Sequence, residues 1–364
     1  MMALIFWIAL TVTVWVYIGY PLLLLLWRAI GSRPVNKQFQ EPGVSIVLAM
    51  HNECDRVDAK IQNCFDLDYP ASKLCIIVSL DAPTDGTADA LKKWEERGVK
   101  VVRTATRRGK AAAINSAMPF ATGDIVLFGD ARQNLAPNAL RELVANFADP
   151  SVGAVSGELV LLDEDGKESN EGVGMYWRYE KALRSMESAI RSVPGSTGAI
   201  YAIRRELFQP LPAGTILDDV LIPMRIVAGG KRAIFEPAAL AFDRVTETPE
   251  MEYQKKRRTL MGNYELLVRA PELLVPGRNP ILVQFLSHKV GRLIVPWCLL
   301  ALLMSNLFLH HGFYRLSLFG QILFYLFAMC GWLISRRKDT KSELQVQASS
   351  PTVQDSAIAA VTRE

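Results

Sequence analysis

The sequence predicts an α/β fold with a mostly parallel central sheet, placed between segments that are apolar enough to cross a membrane. From residue 43 onward, short apolar runs alternate with helical patterns of about ten residues, which is typical of βαβ units. Acids follow three of these runs, as Glu53, Asp81 and Asp130. Because open α/β sheets bind ligands outside the carboxyl ends of their strands, these acids indicate a binding crevice.

The composition indicates a protein that is part membrane and part soluble domain. Of its 364 residues, 50% are hydrophobic and 21% are charged, and the mean hydropathy is +0.15. These values are too apolar for a purely soluble enzyme and too charged for a protein made only of membrane helices. The net charge of +4 gives no indication of a nucleic-acid partner. The five cysteines form no CxxC pair, so we expect reduced thiols in a cytosolic protein.

The first segment is predicted to be a transmembrane anchor over residues 1–28. Residues 3–27 contain no charged side chain, and a helix of about 20 apolar residues crosses a bilayer. Arg28, Arg33 and Lys37 follow, whereas no basic residue precedes. The positive-inside rule therefore predicts an external amino terminus and a cytosolic domain. A signal peptide is the alternative, but neither a basic start nor a small-residue cleavage site is evident.

The next part of the chain supplies the predicted sheet. Apolar runs bounded by turn residues mark strand candidates at 43–53, 74–81, 99–105, 125–128 and 152–161. Helical patterns separate them at 55–65, 88–96, 107–118 and 138–147. The run at 125–128 is apolar throughout, which is typical of a strand buried on both faces of a parallel sheet.

The pattern changes after residue 162. A polar loop is predicted at 163–172, an amphipathic helix at 174–190 and a further helix over 220–227. The region 281–335 is predicted to hold an interfacial helix and then two membrane spans, near 293–309 and 316–334. His288, Lys289 and Arg292 belong to the interfacial helix, and basic residues 336–338 follow the second span on the cytosolic side. The tail 339–364 is small and polar, so we expect it to be disordered.

Six stretches together carry a specific resemblance. VSIVLAMHNE, SLDAPTDGT, RRGKAAAINSA and LFGDARQ occur in order, and STGAIYAIRREL and ILDDVLIPMRI follow. This series resembles the inverting family 2 glycosyltransferases, a group that holds membrane polysaccharide synthases and lipid glycosyltransferases. The resemblance implies a GT-A fold over 43–270, Rossmann-like, with helices on both faces of the sheet. It also implies a nucleotide diphosphate-sugar donor, expected to be UDP-linked, and a lipid-linked or saccharide acceptor at the inner cell membrane.

The donor site is expected at the first strand tips and the basic turn. By resemblance, Asp81 is the nucleotide-binding acid and Glu53 lines the same pocket; the alternative is that each caps the following helix. Arg108 and Lys110 lie just before a helical pattern, where backbone N–H groups and a lysine favour a diphosphate. A solvated basic turn is the alternative. The turn is not a P-loop, because it lacks the GxxxxGK[ST] pattern.

Asp130 is the predicted metal contact. The family usually has Asp-x-Asp here, which binds the nucleotide sugar and a divalent cation, whereas this chain has Asp130, Ala131 and Arg132. Oxygen ligands of this kind suit Mg²⁺ or Mn²⁺. Arginine does not ligate a cation, but its guanidinium matches phosphate geometry, so Arg132 is expected to take up diphosphate charge. The second ligand stays open, and a buried structural role for Asp130 is the alternative.

Asp218 and Asp219 are the predicted catalytic pair. Sugar transfer with inversion needs a base that removes the proton of the acceptor hydroxyl, and a neighbouring acid raises the pKa of a carboxylate toward working pH. By resemblance, Asp219 is that base and Asp218 is its neighbour. The alternative is a pair that caps the following helix.

QKKRRTLMGN occupies the place where processive members carry Gln-x-x-Arg-Trp. Gln254 and Arg257 fit its first part, or Arg258 is the family arginine in a shifted register, but neither register supplies the tryptophan. Its absence argues against processive synthesis. Arg257 and Arg258 are expected to bind the diphosphate leaving group; a basic patch on the membrane surface is the alternative.

Two other functions stay open. One is a processive polysaccharide synthase, and the other is a non-catalytic nucleotide-binding subunit, suggested by the missing second aspartate. A dinucleotide-dependent oxidoreductase is disfavoured, because no GxGxxG opens any of the helical patterns.

Overall fold

A mixed eight-stranded sheet forms the centre of the protein in the computed structural model, which describes residues 1–162, 174–244 and 249–349. The strands are β1 (Val44–Met50), β2 (Leu74–Asp81), β3 (Lys100–Thr104), β4 (Ile125–Gly129), β5 (Asn134–Leu135), β6 (Val152–Leu162), β7 (Tyr201–Arg204) and β8 (Arg232–Arg244). Their order in the sheet is β3-β2-β1-β4-β7-β6-β8-β5.

The first half of the sheet is parallel, and this half places the predicted acids. β1 pairs with β2 and with β4, and β2 pairs with β3, all in parallel. Met50 is opposite Leu80, and Leu48 is opposite Gly129, so the carboxyl ends of β2, β1 and β4 are adjacent. Beyond β4 the sheet becomes mixed, because β7 is antiparallel to both β4 and β6 while β6 and β8 run parallel.

Helices connect and cover the strands. Their bounds are α1 (Met2–Val14), α2 (Tyr20–Ile30), α3 (Cys54–Phe65), α4 (Thr87–Ala90), α5 (Lys92–Glu95), α6 (Lys110–Ala117), α7 (Ala139–Ala145), α8 (Gly174–Ile190), α9 (Asp218–Ala228), α10 (Pro249–Arg269), α11 (Leu282–Gln284), α12 (Gly291–Asn306) and α13 (Gly312–Ser349). A π-helical turn, Trp15–Gly19, joins α1 to α2, and a second one, Phe285–Val290, joins α11 to α12.

Two apolar clusters cover the two faces of the sheet. Ile46 and Leu48 of β1 pack in one cluster with α3 and α7, whereas Val47 packs in the other with α6 and α9. This alternation follows from the pleat, because successive side chains of a strand point to opposite faces. Helices therefore lie on both faces of the sheet, as predicted.

Three helical stretches are long and apolar enough to cross a membrane: Met2–Ile30, Leu282–Asn306 and Gly312–Leu333. They correspond to the predicted anchor and the two predicted spans. The last helix differs from the prediction at its end, because α13 continues to Ser349 and so includes part of the tail expected to be disordered. Residues 332–349 contain no glycine or proline to stop a helix. The remaining tail and the predicted loop 163–172 lie outside the described residues.

The described residues divide into two compact units. Among the described residues, the smaller one contains 1–13, 249–254 and 296–349, and the larger one contains 14–244, which include the sheet, and 255–295. In the smaller unit, Phe6 packs in a cluster with Cys298 and Leu302. The predicted domain boundaries at 43 and 270 stay a prediction.

A buried polar network lies within the larger unit. The Tyr20 hydroxyl of α2 donates to Glu187 of α8 at 2.5 Å. His288 lies 2.9 Å from Glu187 and 3.0 Å from Glu180, and Arg292 pairs with Glu180 at 2.8 Å. His288 is only 3% exposed. The segment predicted as an interfacial helix thus contains a buried histidine, which two carboxylates of α8 satisfy.

Candidate active site

Asp81 ends β2 and orders the turn before α6. Its carboxylate accepts the backbone N–H groups of Arg108 and Gly109, each at 2.7 Å, and the residue is 4% exposed. Gly109 has φ +86°, a left-handed conformation that glycine adopts without strain. The predicted nucleotide-binding acid and the predicted basic turn therefore form one unit at the sheet edge.

Lys110, the first residue of α6, links two of the predicted acids. Its ammonium lies 2.8 Å from the carboxylate of Asp130, which follows β4, and 3.3 Å from that of Asp218. Burial works to lower the pKa of Lys110, but the carboxylates of Asp218, Asp130 and Asp219 outweigh it and raise that pKa above its ordinary value. Lys110 is therefore a permanent cation between the acids.

Asp218 and Asp219 form the first turn of α9. Leu217 is the N-cap residue, and both acids lie in the first turn of the helix, where negative charge is favourable. Asp218 is 2% exposed, and its second carboxylate oxygen accepts the Tyr201 hydroxyl at 3.0 Å. Tyr201 stands on β7, beside the β4 strand that leads to Asp130.

Asp219 has the environment of a general base. Burial and the neighbouring Asp218 raise its pKa to about 6, while Lys110 and Lys289 work in the opposite direction. The loop before β7 lies against it: a Cβ on Gly198 would be 3.1 Å from its carboxylate oxygen. The backbone carbonyl of Asp219 also accepts the N–H of Ser196 at 2.8 Å. A carboxylate with this pKa is largely deprotonated at neutral pH and still accepts a proton.

Asp130 is the candidate metal ligand, and its neighbours differ from what the sequence suggested. Its side chain is 41% exposed. The Arg132 guanidinium pairs with Asp243 of β8 at 2.6 Å, and the amide of Gln133 donates to the same carboxylate at 2.8 Å. Arg132 therefore already has an acidic partner on β8, which partly neutralises its charge.

The donor set at Asp130 fits a cation that is completed by its substrate. Among the described residues, no three His, Cys, Asp or Glu side chains converge as a metal cage. Mg²⁺ is commonly bound by one or two carboxylates together with substrate phosphates and water, so one exposed carboxylate is compatible with it.

Glu53 makes local contacts next to β1. Its carboxylate pairs with Arg56 at 2.6 Å, and its backbone N–H donates to the Thr87 hydroxyl at 2.8 Å. Asp85 takes the role of the turn acid, since it accepts the N–H groups of Cys54 at 3.2 Å and Thr87 at 2.9 Å. Glu53 thus lies at the β1 edge, and its ion partner comes from its own helix.

Arg257 and Arg258 lie in the exposed stretch 251–260 of α10. The contacts that join Asp81, Lys110, Asp130 and Asp218 do not include them. Their predicted role at the leaving group therefore depends on a substrate reaching this helix.

Two further basic residues belong to the site, and sequence reasoning missed their roles. Arg184 of α8 donates to the hydroxyls of Thr197 and Ser156, each at 2.6 Å, and so holds the loop that faces Asp219. Lys289 acts electrostatically on Asp219. No local pattern distinguishes Arg184, which is one arginine on an amphipathic helix, and the apolar surroundings of Lys289 favour a membrane-surface role.

Comparison with known proteins shows which proteins this chain is similar to. The family model described as Glycosyl transferase family 2 matches residues 45–211, which include β1 to β7 and the acids at the sheet edge. A solved mannosyltransferase from Pyrobaculum calidifontis, PcManGT in complex with GDP-Man and Mn²⁺, has the same fold. Its TM-score is 0.69 at 24% identity, over 95% of this chain and 100% of that one. Residues 45–211 are therefore similar to family 2 glycosyltransferase domains, and the chain has the GT-A fold.

Two curated relatives carry names that state an activity. A probable glycosyltransferase of Bacillus subtilis, YdaM, is 25% identical over 78% of this chain and 64% of its own length. A poly-β-1,6-N-acetyl-D-glucosamine synthase of Staphylococcus aureus is 24% identical over 62% of this chain and 56% of its own length. This chain therefore spans less than two thirds of the length of either relative. The predicted fold is confirmed, and the predicted family and enzyme class agree with these comparisons.

Proposed function

We propose that the protein is a membrane-anchored, inverting glycosyltransferase, with its active site at the edge where β2, β1 and β4 end. The observation that carries this proposal is the cluster around Lys110. Its ammonium joins Asp130 to Asp218, and its turn is held by Asp81, so acids from separate parts of the chain meet at one point. Asp219 lies beside this cluster, with a pKa raised to about 6.

Asp219 acts as the general base in this proposal. As the acceptor oxygen forms its bond to the anomeric carbon, its proton passes to the Asp219 carboxylate. The bond between that carbon and the donor phosphate breaks on the opposite face, and the nucleoside diphosphate leaves with the electron pair. Attack opposite the leaving group inverts the anomeric centre. Asp218 keeps the pKa of Asp219 high enough to accept the proton.

The turn 108–110 and Asp130 are proposed to bind the diphosphate. The N–H groups of Arg108 and Gly109 are already bound by Asp81, so the anion is left to Lys110 and the first N–H groups of α6, because a helix start favours negative charge. Mg²⁺ or Mn²⁺ held by Asp130 would neutralise charge on the departing diphosphate. When an anion enters, Lys110 exchanges part of its contact with Asp130 for contact with phosphate oxygens.

The donor is proposed to be UDP-linked and the acceptor lipid-linked. Supporting the second point, three helices are long and apolar enough to cross a membrane, so the site belongs to a chain that lies at a bilayer. The basic residues Arg28, Arg33 and Lys37 follow the first of these helices, which favours a cytosolic catalytic domain in the inner membrane.

Polymer synthesis is the second candidate, and the Staphylococcus relative favours it, because that protein is a polysaccharide synthase by name. Arg258 or Thr259 stands where processive members of the family have tryptophan, which favours transfer of single sugars. The product length from purified protein supplied with donor separates the two: a ladder of long products supports the synthase, and one added sugar supports single transfer.

A donor screen tests the proposal. Full-length protein in lipid nanodiscs is heated with UDP- and GDP-linked sugars, each with and without Mn²⁺. A ligand of the native state raises the melting temperature, by an amount that grows with ligand concentration. We expect one donor to stabilise the protein, and to do so more strongly with Mn²⁺. If no nucleotide sugar raises the melting temperature in either condition, the proposed function is wrong.

Asp219→Asn then separates an enzyme from a binding subunit. This variant should keep the donor-induced rise in melting temperature but lose about 10²- to 10⁴-fold in transfer rate, the usual contribution of a general base. Asp89→Asn is the matched control, since Asp89 is exposed and pairs only locally with Lys92 at 2.7 Å. Full transfer by Asp219→Asn would contradict the assigned base.

A further inference from the structure

Lys289 places a positive charge beside the proposed base from the membrane side of the chain. It lies in the π-helical turn Phe285–Val290, near the start of the apolar stretch Leu282–Asn306. Its ammonium would be 3.5 Å from a Cβ on Gly195, in the loop that continues to Gly198 and there lies against Asp219. The side chain therefore points from a candidate membrane helix into the active site.

The two charged neighbours of Lys289 in the sequence have close carboxylate partners, and Lys289 differs from them in this respect. His288 and Arg292 have carboxylate partners on α8, at 3.0 Å and 2.8 Å. Within the described part of the chain, no carboxylate lies within 4.0 Å of the Lys289 ammonium, although Asp219 is the main charge attracting it. A partly buried ammonium without a close anionic partner is suited to an anion supplied by a substrate.

The position of Lys289 indicates which substrate supplies that anion. The donor diphosphate is assigned to the turn at Arg108 and Lys110 and to Asp130, which belong to α6 and to the end of β4. Lys289 approaches Asp219 from another element, the one that enters the apolar stretch. A saccharide joined to a lipid through phosphate carries its negative charge between the apolar tail and the sugar. Lys289 likewise lies near the start of the apolar stretch and acts on Asp219, so the apolar stretch, the ammonium and the proposed base follow in the same order as the tail, the phosphate and the sugar.

We propose that Lys289 binds the phosphate that joins an acceptor saccharide to its lipid, and so positions the acceptor hydroxyl against Asp219. This inference rests on the proposed function and adds a substrate class to it: lipid phosphates or diphosphates rather than neutral glycolipids. Lys289 forms and breaks no covalent bond in this role. It is a positioning residue that selects the acceptor by charge.

The test compares a charged with a neutral lipid. Full-length protein in phosphatidylcholine nanodiscs is titrated with a radiolabelled polyprenyl diphosphate and with the corresponding polyprenol. We expect the wild type to bind the diphosphate at least tenfold more tightly than the alcohol. Lys289→Gln should lose about tenfold in affinity for the diphosphate and none for the alcohol, as expected when one charge-assisted hydrogen bond is removed.

Two further variants distinguish charge from structure. Lys289→Arg keeps the charge and should retain most of the affinity, which a purely structural role would not predict. Lys231→Gln is the matched control, because Lys231 is partly exposed and its amine donates to the Pro150 carbonyl, at 2.9 Å, in a hydrogen bond at the surface. It should leave both affinities unchanged.

A measurement of donor binding by Lys289→Gln shows whether the phosphate that Lys289 binds belongs to the acceptor or to the donor. Donor-induced stabilisation of Lys289→Gln should equal that of the wild type. If donor binding falls while diphosphate-lipid binding does not, Lys289 serves the donor and the acceptor assignment is overturned. Equal binding of lipid diphosphate and polyprenol by the wild type also overturns it. In either case the wild-type donor screen still decides the proposed function separately.

Discussion

The charge balance around Asp219 sets when this residue works as a base. Burial and Asp218 raise its pKa, whereas Lys110 and Lys289 lower it. Asp130, Arg184 of α8 and Tyr201 of β7 also contribute electrostatically. Since each of these groups comes from a different element, the pKa of about 6 is a property of the assembled site.

The pH dependence of the transfer rate should follow the protonation of Asp219. A base must be deprotonated, so we expect the rate at saturating substrates to rise with pH through about 6 and then to level off. Asp218→Asn removes one negative charge beside Asp219. The pKa of Asp219 then falls, and the acid limb of the rate profile moves to lower pH.

The measurement is the maximal rate as a function of pH for wild type, Asp218→Asn and the surface control Asp89→Asn. The control should keep the wild-type limb. An acid limb that stays in place in Asp218→Asn would show that a group other than Asp219 controls the rate.

At the scale of elements, the turn between β3 and α6 organises the proposed donor site. Asp81 binds two consecutive backbone N–H groups of this turn, and Gly109 adopts φ +86° directly before Lys110. The backbone conformation of Gly109 thus determines where the Lys110 side chain leaves the backbone. Gly98 has a similar φ of +94° in the turn before β3, and a Cβ at either glycine would meet open space.

These two glycines provide a matched pair of variants. A positive φ costs an L-residue roughly 1–3 kcal/mol, so Gly109→Ala and Gly98→Ala should both lose unfolding free energy. Only Gly109→Ala should weaken donor binding, because it displaces Lys110 and the N–H groups of the turn. Unfolding in denaturant and the donor-induced shift in melting temperature measure the two effects.

Two results would contradict this role of the turn. Normal donor binding by Gly109→Ala would separate the turn from the donor site. Equal weakening in Gly98→Ala would mean that donor binding follows overall stability.

At the scale of the whole molecule, the three candidate membrane helices among the described residues predict an odd number of membrane crossings for this part of the chain. With a cytosolic catalytic domain, the short connection between α12 and α13 is external, and the segment after the first helix is internal. His310 and Ser32 are exposed positions in these two places.

Cysteine labelling tests this topology in intact cells. A membrane-impermeant maleimide should label His310→Cys directly, but Ser32→Cys only after permeabilisation, each compared with the parent chain and its five native cysteines. The reverse pattern would place the catalytic domain outside and would remove the proposed access to a cytosolic nucleotide sugar.

Local patterns predicted most of the elements. The second strand was predicted at 74–81 and is found at Leu74–Asp81, and the helix predicted at 174–190 is found at Gly174–Ile190. Burial on both faces imposes an apolar run on a parallel strand, and one buried face imposes a helical period on a helix, so both leave a signal in neighbouring residues. The acids Asp81, Asp130, Asp218 and Asp219 were also singled out from their motifs.

Contacts between distant residues were not predictable in this way. Nothing local relates Arg132 to Asp243, yet their ion pair changes what Arg132 is free to do. Arg184 and Lys289 likewise reach the site from helices that sequence patterns assign to an amphipathic face and a membrane surface. The antiparallel position of β7 between β4 and β6 also depends on the whole sheet.

The sequence by itself determined the element types, the parallel half of the sheet, the apolar helices and the family resemblance of the domain, because these follow from periodicity, hydropathy and motifs along the chain. Only the tertiary structure decided that Lys110 joins Asp130 to Asp218, that Arg132 is held by Asp243 and that Lys289 approaches Asp219. The physical reason is that charge interactions act over a few ångströms in space, and separation along the chain does not limit them.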